Sequence, residues 1–353
     1  MELILKNEER AILTLRSLYR QYGYTPYKMS RFEEYDLYVR SKDFLVSDQI
    51  ITFSGDRGKL MALKPDVTLS IVKNAPEAPG VVQKVYYNEN VYRDYREILQ
   101  AGLECVGDLG DYEIAEVVLL AAKSLALLGS DYVLDISHMG LIGAVLDSCG
   151  LEEAGKRQAM ACLRRKRIHE LRTLCREETA WRKLNALAVC HGSGPEELEK
   201  IREVLTTGAE LQAWEELRVL WRLLEDSGSH IRLDFSVGNN MRYYSGVVFR
   251  GYLAGIPTSV LSGGQYDKLP RKLGRHAKAI GFAIYVDLLQ ELQKEEHSLD
   301  VDTLILHDGS VDTAVLTAVA AEAAKNGTVL VAKQLPKDRR WKQLIRFERG
   351  ARV

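Results

Sequence analysis

The chain has no Cys-x-x-Cys pair and only five cysteines, Cys105, Cys149, Cys162, Cys175 and Cys190, an odd number. That excludes a zinc knuckle and a disulfide framework, and fits reduced thiols in a cytosolic protein. Its seven histidines show no His-x-x-x-His and no carboxylate partner at ligand spacing, so no metal site and no cofactor is expected. Charge of one sign is lacking too. With 48 Lys+Arg against 49 Asp+Glu the formal net charge is -1, which argues against a global basic footprint for nucleic acid. The longest apolar run, residues 117–128, is interrupted by Lys123 and too short to cross a bilayer. The N-terminus turns acidic within a few residues and carries no signal-peptide core. Repeats and low-complexity tracts are absent. The expectation is a soluble, cytoplasmic protein with no membrane partner. At 353 residues, 46% hydrophobic and 27% charged, the chain has room for two or three domains with a sizeable core.

Periodicity divides the chain. Residues 8–20 place Ile12, Leu15, Leu18 and Tyr19 at helical spacing before Gly23. Residues 50–107 alternate short β-rich runs with Gly, Pro and Asp, reading as an antiparallel sheet interrupted by a helix starting at Thr68. A helix is predicted over 114–128 and a strand over 131–136. From about Gly140 to Ser229 the pattern is helical, and strands return over 231–235, 246–249 and 258–261, followed by a helix over 286–294. The predicted fold is α+β: one core, residues 1–139 and 230–295, split by a helical insertion, residues 140–229. Residues 301–353 read as a small C-terminal α/β segment or half of a truncated module. Its basic tail, residues 337–349, is predicted to be an amphipathic helix, and the basic cluster at 163–169 a solvated helix face.

Chemistry concentrates in a few stretches. Gln100, Gly102 and Glu104 alternate, so on a strand they share a face, with the glycine leaving room for a ligand. Glu104 can accept from an imidazole N–H, while Tyr243, Tyr244 and Tyr266 can wall a ring. Asp66 offers negative charge to an α-ammonium, Thr68 a hydroxyl, and Arg93 a planar fork for an α-carboxylate. Taken singly, Asp66 reads equally as a helix N-cap, and Gln100 and Glu104 as surface strand residues.

Four segments in order carry a family resemblance: Leu63-Lys64-Pro65-Asp66-Val67-Thr68, residues 85–104, Asn239-Asn240-Met241-Arg242-Tyr243-Tyr244-Ser245-Gly246 with Ser262-Gly263-Gly264-Gln265-Tyr266-Asp267, and Ala279-Ile280-Gly281-Phe282-Ala283. They resemble the histidine-reading segments and motifs 2 and 3 of histidyl-tRNA synthetases. The resemblance implies a class II aminoacyl-tRNA synthetase-like antiparallel sheet flanked by helices, a dimer through residues 22–48, and the same histidine-pocket roles for Asp66, Thr68, Arg93, Gln100, Glu104 and Tyr244.

The departures are specific. Adenylation needs preorganised positive charge on the transferring phosphates. The motif 3 arginine position is Leu288, and the arginine of the histidine signature is Asn239. Motif 2 turns through Arg93-Asp94-Tyr95-Arg96, where active synthetases carry a longer loop. Losing one charge donor commonly costs two to three orders of magnitude in rate, and two are missing here. The combination resembles the regulatory subunits of ATP phosphoribosyltransferase. That implies no catalysis, binding of histidine, and a homodimer within a hetero-oligomer with the short catalytic subunit. The rivals are an active or tRNA-binding histidine–tRNA ligase and a stand-alone amino-acid-binding module.

Overall fold

The structure, a computed structural model, describes residues 6–41, 49–76, 78–224, 230–237, 243–293 and 299–353. It divides into two compact units, Met1–Leu292 and Gln293–Val353.

The first unit opens with α1 (Asn7–Gln21), β1 (Thr25–Pro26), β2 (Phe32–Glu34), α2 (Tyr35–Arg40), β3 (Thr52–Ser54) and β4 (Leu60–Leu63). Helix α1 carries Glu8 and Glu9 in its first turn, opposite the helix dipole, and buries Ala11, Leu15, Leu18 and Tyr19 at helical spacing. It stops before Gly23, whose φ of 82° is the left-handed geometry that ends helices. Next come α3 (Thr68–Asn74), the long hairpin β5 (Val82–Arg93) and β6 (Arg96–Gly107), α4 (Asp111–Leu128) and β7 (Tyr132–His138). Helices α5 (Met139–Ser148), α6 (Glu153–Arg164), α7 (Ile168–Leu174), α8 (Glu178–Val189), α9 (Pro195–Arg202) and α10 (Gly208–Leu224) follow. The chain then returns through β8 (Ile231–Leu233), β9 (Val247–Leu253), β10 (Leu261–Gln265), α11 (Lys268–Lys272) and β11 (Lys278–Tyr285).

Among the described residues the main sheet runs β1-β5-β6-β11-β10-β9-β7-β8, antiparallel except where β1 joins β5 and β8 joins β7. Its register separates two faces. Leu103, Phe282, Gly263, Phe249, Ile136 and Leu233 align across six strands, and each residue of the row is buried. Helix α4 lies on this face, across β7, β9, β10 and β11. It packs closely enough that a Cβ on Gly251 would meet Leu125 Cδ1 at 2.6 Å. The adjacent residues, one step along each strand, point to the opposite face and build the site.

The helices after β7 are tied together by one buried ion pair. Lys183 of α8 donates to Glu210 of α10 at 2.7 Å, and the Thr206 and Thr207 N–H groups donate to the same carboxylate at 2.7 and 2.8 Å. Burial alone would raise the Glu210 carboxyl, but hydrogen bonds from Lys183, Ser148 and these amides lower it to about 2.

In the second unit, β12 (Val301–His307), α12 (Thr313–Ala324), β13 (Val329–Ala332), β14 (Trp341–Glu348) and β15 (Ala351–Arg352) form a sheet ordered β13-β12-β14-β15. The tail predicted as a helix is therefore a strand, parallel to β12. Ile345 and Phe347 alternate into a small core with Ile305 and Val311, a period-two pattern that interleaved charges hid. Two other boundaries differ. The strand expected over 258–261 begins at Leu261 and carries Gly263 and Gly264 inside it, because a Cβ on Gly263 would strike Phe282 Cβ at 2.4 Å and the Phe249 ring at 2.7 Å. The helix expected over 286–294 is a run of 3-10 turns, Val286–Gln293. Of the basic cluster, Leu163 and Arg164 end α6, Ile168 and His169 begin α7, and Arg165, Lys166 and Arg167 form the turn between them.

Two stability outcomes follow. Asp94 and Tyr95 close the β5–β6 hairpin with φ of 50° and 60°, the type I′ pattern that favours Asn-Gly. Tyr95→Gly is expected to raise unfolding stability by about 1 kcal/mol in urea titrations. Lys183→Met strands a buried carboxylate and is expected to cost about 3–5 kcal/mol at neutral pH. A carboxyl with a lowered pKa stabilises the fold above its unfolded value near 4.5. The Lys183→Met penalty should therefore shrink as pH falls through about 2, read as a converging difference in urea midpoint.

Candidate functional site

Strand β6 places Gln100, Gly102 and Glu104 on the face away from α4, where Gln100 and Glu104, each 2% exposed, line a cavity of 330 Å³. Depth here comes from the sheet. Glu104 faces Gly281 across β11, and Gly281 faces Gly264 across β10. A Cβ on Gly281 would lie 1.7 Å from Glu104 Oε2, and one on Gly264 would lie 2.8 Å from the Tyr244 ring. The two glycines let a carboxylate and a phenol lie flat on the strands. Gly102 has a different role from the one expected. Its open space is filled by the partner strand's Tyr87, whose hydroxyl would be 2.7 Å from a Cβ.

Glu104 is held at both oxygens. Thr68 Oγ1, at the start of α3, donates to Oε1 at 2.6 Å, and the Tyr266 hydroxyl donates to Oε2. Burial pushes the Glu104 carboxyl up to about 8; the Thr68 and Tyr266 hydrogen bonds pull against burial, and the nearby Asp66 adds to it. Burial and the Glu104 charge push Tyr266 far upward, so it remains a neutral donor. Tyr243 sits between its neighbours, edge-on to Tyr244 at a centroid distance of 4.7 Å and tilted against Tyr266 at 5.5 Å. These three rings form an aromatic wall beside the carboxylate.

At the other end, Asp66 serves both readings offered for it. Its Oδ1 accepts from the Leu69 N–H at 2.9 Å, capping α3, and its Oδ2 lies 3.4 Å from Arg93 Nη2. Arg93 also donates from Nε to the Pro65 carbonyl at 2.5 Å, and among the described residues its Nη1 has no hydrogen-bond partner. The pair presents a carboxylate and a guanidinium side by side. Lys64, the departure in this segment, is buried and paired with Glu89.

Four polar lining residues were not among the predicted site residues: Tyr87, Arg250, Ser262 and Tyr285. The two-residue turn contained the signal for the first, since counting back from it pairs Tyr87 with Gly102. For Arg250 the signal was alternation along β9, where Val248, Arg250 and Tyr252 oppose the core-facing Phe249. Of the two degenerate positions, Asn239 lies outside the described residues. Leu288 packs against the main core, and the neighbouring Asp287 accepts from the Leu99 N–H at 2.8 Å. A side chain at 288 thus contributes packing and no charge.

A largely antiparallel sheet flanked by helices, with a hydroxyl-clamped carboxylate, a carboxylate–guanidinium pair and an aromatic wall on one face, defines a class II synthetase-like core. The comparisons agree. The histidyl-tRNA synthetase family profile matches residues 4–289. The ATP phosphoribosyltransferase regulatory subunit of Thermus thermophilus is 32% identical over 312 residues, covering 83% of this chain and 81% of its own. The protein of the same name from Oceanobacillus iheyensis is 27% identical over 296 residues, covering 80% and 73%. A solved structure from Bacillus halodurans, described as an ATP phosphoribosyltransferase regulatory subunit/histidyl-tRNA synthetase, superposes with a TM-score of 0.74 at 23% identity, covering 96% and 93%. The chain belongs to the histidyl-tRNA synthetase family and, within it, to the ATP phosphoribosyltransferase regulatory subunits, which are non-catalytic.

The Glu104 shift has a measurable consequence. A carboxyl raised from 4.5 to about 8 stabilises the fold fully below its unfolded pKa, and that contribution is lost as pH rises toward 8. Wild type is therefore expected to lose stability relative to Glu104→Gln by at most about 1.4 kcal/mol per pH unit across this window. Urea unfolding at half-unit steps reads the difference, and parallel curves would contradict the assignment.

Proposed function

We propose that the cavity holds free histidine and that the chain, as a regulatory subunit in the first step of histidine biosynthesis, couples that occupancy to the short-form ATP phosphoribosyltransferase catalytic subunit. In this reading the protein is a homodimer within a hetero-oligomer, and it neither adenylates histidine nor charges tRNA. The carrying observation is the buried Glu104 clamped by Thr68 and Tyr266, facing an aromatic wall. An imidazole N–H directed at Glu104 favours its ionised form, so binding near neutral pH releases a proton. The α-ammonium takes Asp66, and the α-carboxylate takes the spare N–H groups of Arg93 with the Gln100 amide. The names of the relatives support the partner. Leu288 packing against the core supports the absence of catalysis.

Saturating histidine at a hundredfold excess over Kd is expected to add about 2.7 kcal/mol of stability, seen as a raised Tm. Glu104→Ala should abolish that shift; an unchanged shift would refute the pocket. ATP–pyrophosphate exchange with histidine tests the second claim. Arg250 puts a cation in the cavity outside both family positions, so the assay includes its contribution. Background exchange is expected, and robust exchange lost in Arg250→Ala would replace this reading with a ligase.

A further inference from the structure

Arg250 belongs to two cavities. On the site face, Gly102, Ala283, Ser262, Arg250, Asp135 and Arg232 align in register across β6, β11, β10, β9, β7 and β8. From Ala283 to Arg250 the row lines the first cavity, and from Arg250 to Asp135 it lines a second, almost wholly polar cavity of 570 Å³. The roof of this second space includes Arg164 and Lys166, from the end of α6 and the turn after it. Ser236 and Tyr252 contribute hydroxyls.

The charges of this cavity do not cancel. Asp135 is committed to Arg232, which donates to it at 2.8 Å. Asp234 accepts from Lys166 at 2.7 Å and from the Ser236 N–H at 2.9 Å, and lies 3.3 Å from His191 Nδ1. Arg164 and Arg250 have no hydrogen bond or ion pair among the described residues. Arg250 is half-buried on a sheet face beside an aspartate already taken. A cation partly removed from water without a counter-ion is costly, and a ligand of opposite charge relieves that cost.

We infer that this second cavity binds a small phosphorylated molecule, whose phosphate is gripped between Arg164 and Arg250. Two planar guanidinium forks on separate elements match the oxygens of a phosphate, and the two uncancelled positive charges match its dianion. The remaining volume leaves room for an organic portion. A small molecule is favoured over RNA because the site is a bounded cavity flanked by Asp135 and Asp234, which would repel an extended phosphate backbone. The inference stands independently of the histidine reading.

The test is calorimetric titration of inorganic phosphate into the full-length protein at low salt, with a short RNA duplex as a second titrant. Saturable binding at one phosphate per chain is expected, weakened at least tenfold by Arg164→Ala and by Arg250→Ala. Arg165→Ala, on the same turn but outside the cavity, should bind like wild type. Arg164 is exposed at a helix end, so its variant reports on binding even if Arg250→Ala folds poorly. Absence of saturable binding, or an equal loss in Arg165→Ala, overturns the site. So does RNA bound more tightly than phosphate through all three arginines, which describes a surface patch.

Discussion

A carboxyl group buried on the face of a sheet constrains everything near it. Glu104 is 2% exposed and held by hydroxyls from Thr68 and Tyr266. That arrangement requires a glycine directly opposite it on β11, a helix beginning at Thr68, and a strand delivering Tyr266. Removing water from a carboxyl raises its pKa, so the group sits near its titration point at neutral pH. A buried acid in that condition responds strongly to whatever hydrogen-bond donor enters the cavity.

The same face separates two kinds of polar group. Some are fixed by local pairing, such as Asp66 with Arg93 and Glu104 with its two hydroxyls. Phosphate activation needs cations held unpaired and aimed at the transferring group. At position 288 a partly buried leucine packs against the core, and the β5–β6 hairpin closes in two residues, Asp94 and Tyr95. Arg250 faces the cavity along with the paired Arg93, and also opens toward a second polar space.

Much of this was legible in the chain before folding. Period-two alternation at Gln100, Gly102 and Glu104 placed those residues on one face, and helical spacing located α1 and α4. Failures share a cause. The strand expected over 258–261 runs instead over Leu261–Gln265, where Gly263 and Gly264 clear space for Phe249, Phe282 and Tyr244. Charges flanking Ile345 and Phe347 suggested a helix, whereas pairing with β12 settled a strand. Likewise the room beside Gly102 was filled by Tyr87 from the partner strand. In each case the deciding neighbour is distant in sequence or on another strand.

The sequence by itself determined which residue types are available: the carboxylates, the hydroxyls, the tyrosines, and an uncharged leucine at position 288. These are local facts, fixed by side-chain chemistry and by periodicity within one element. Tertiary structure alone decided which of them meet. Register across β6, β11, β10, β9 and β7 brought Glu104 against Gly281 and carried Arg250 from one cavity to the next. Cross-strand register follows from the pairing of segments far apart in the chain, and periodicity within a single strand does not encode it.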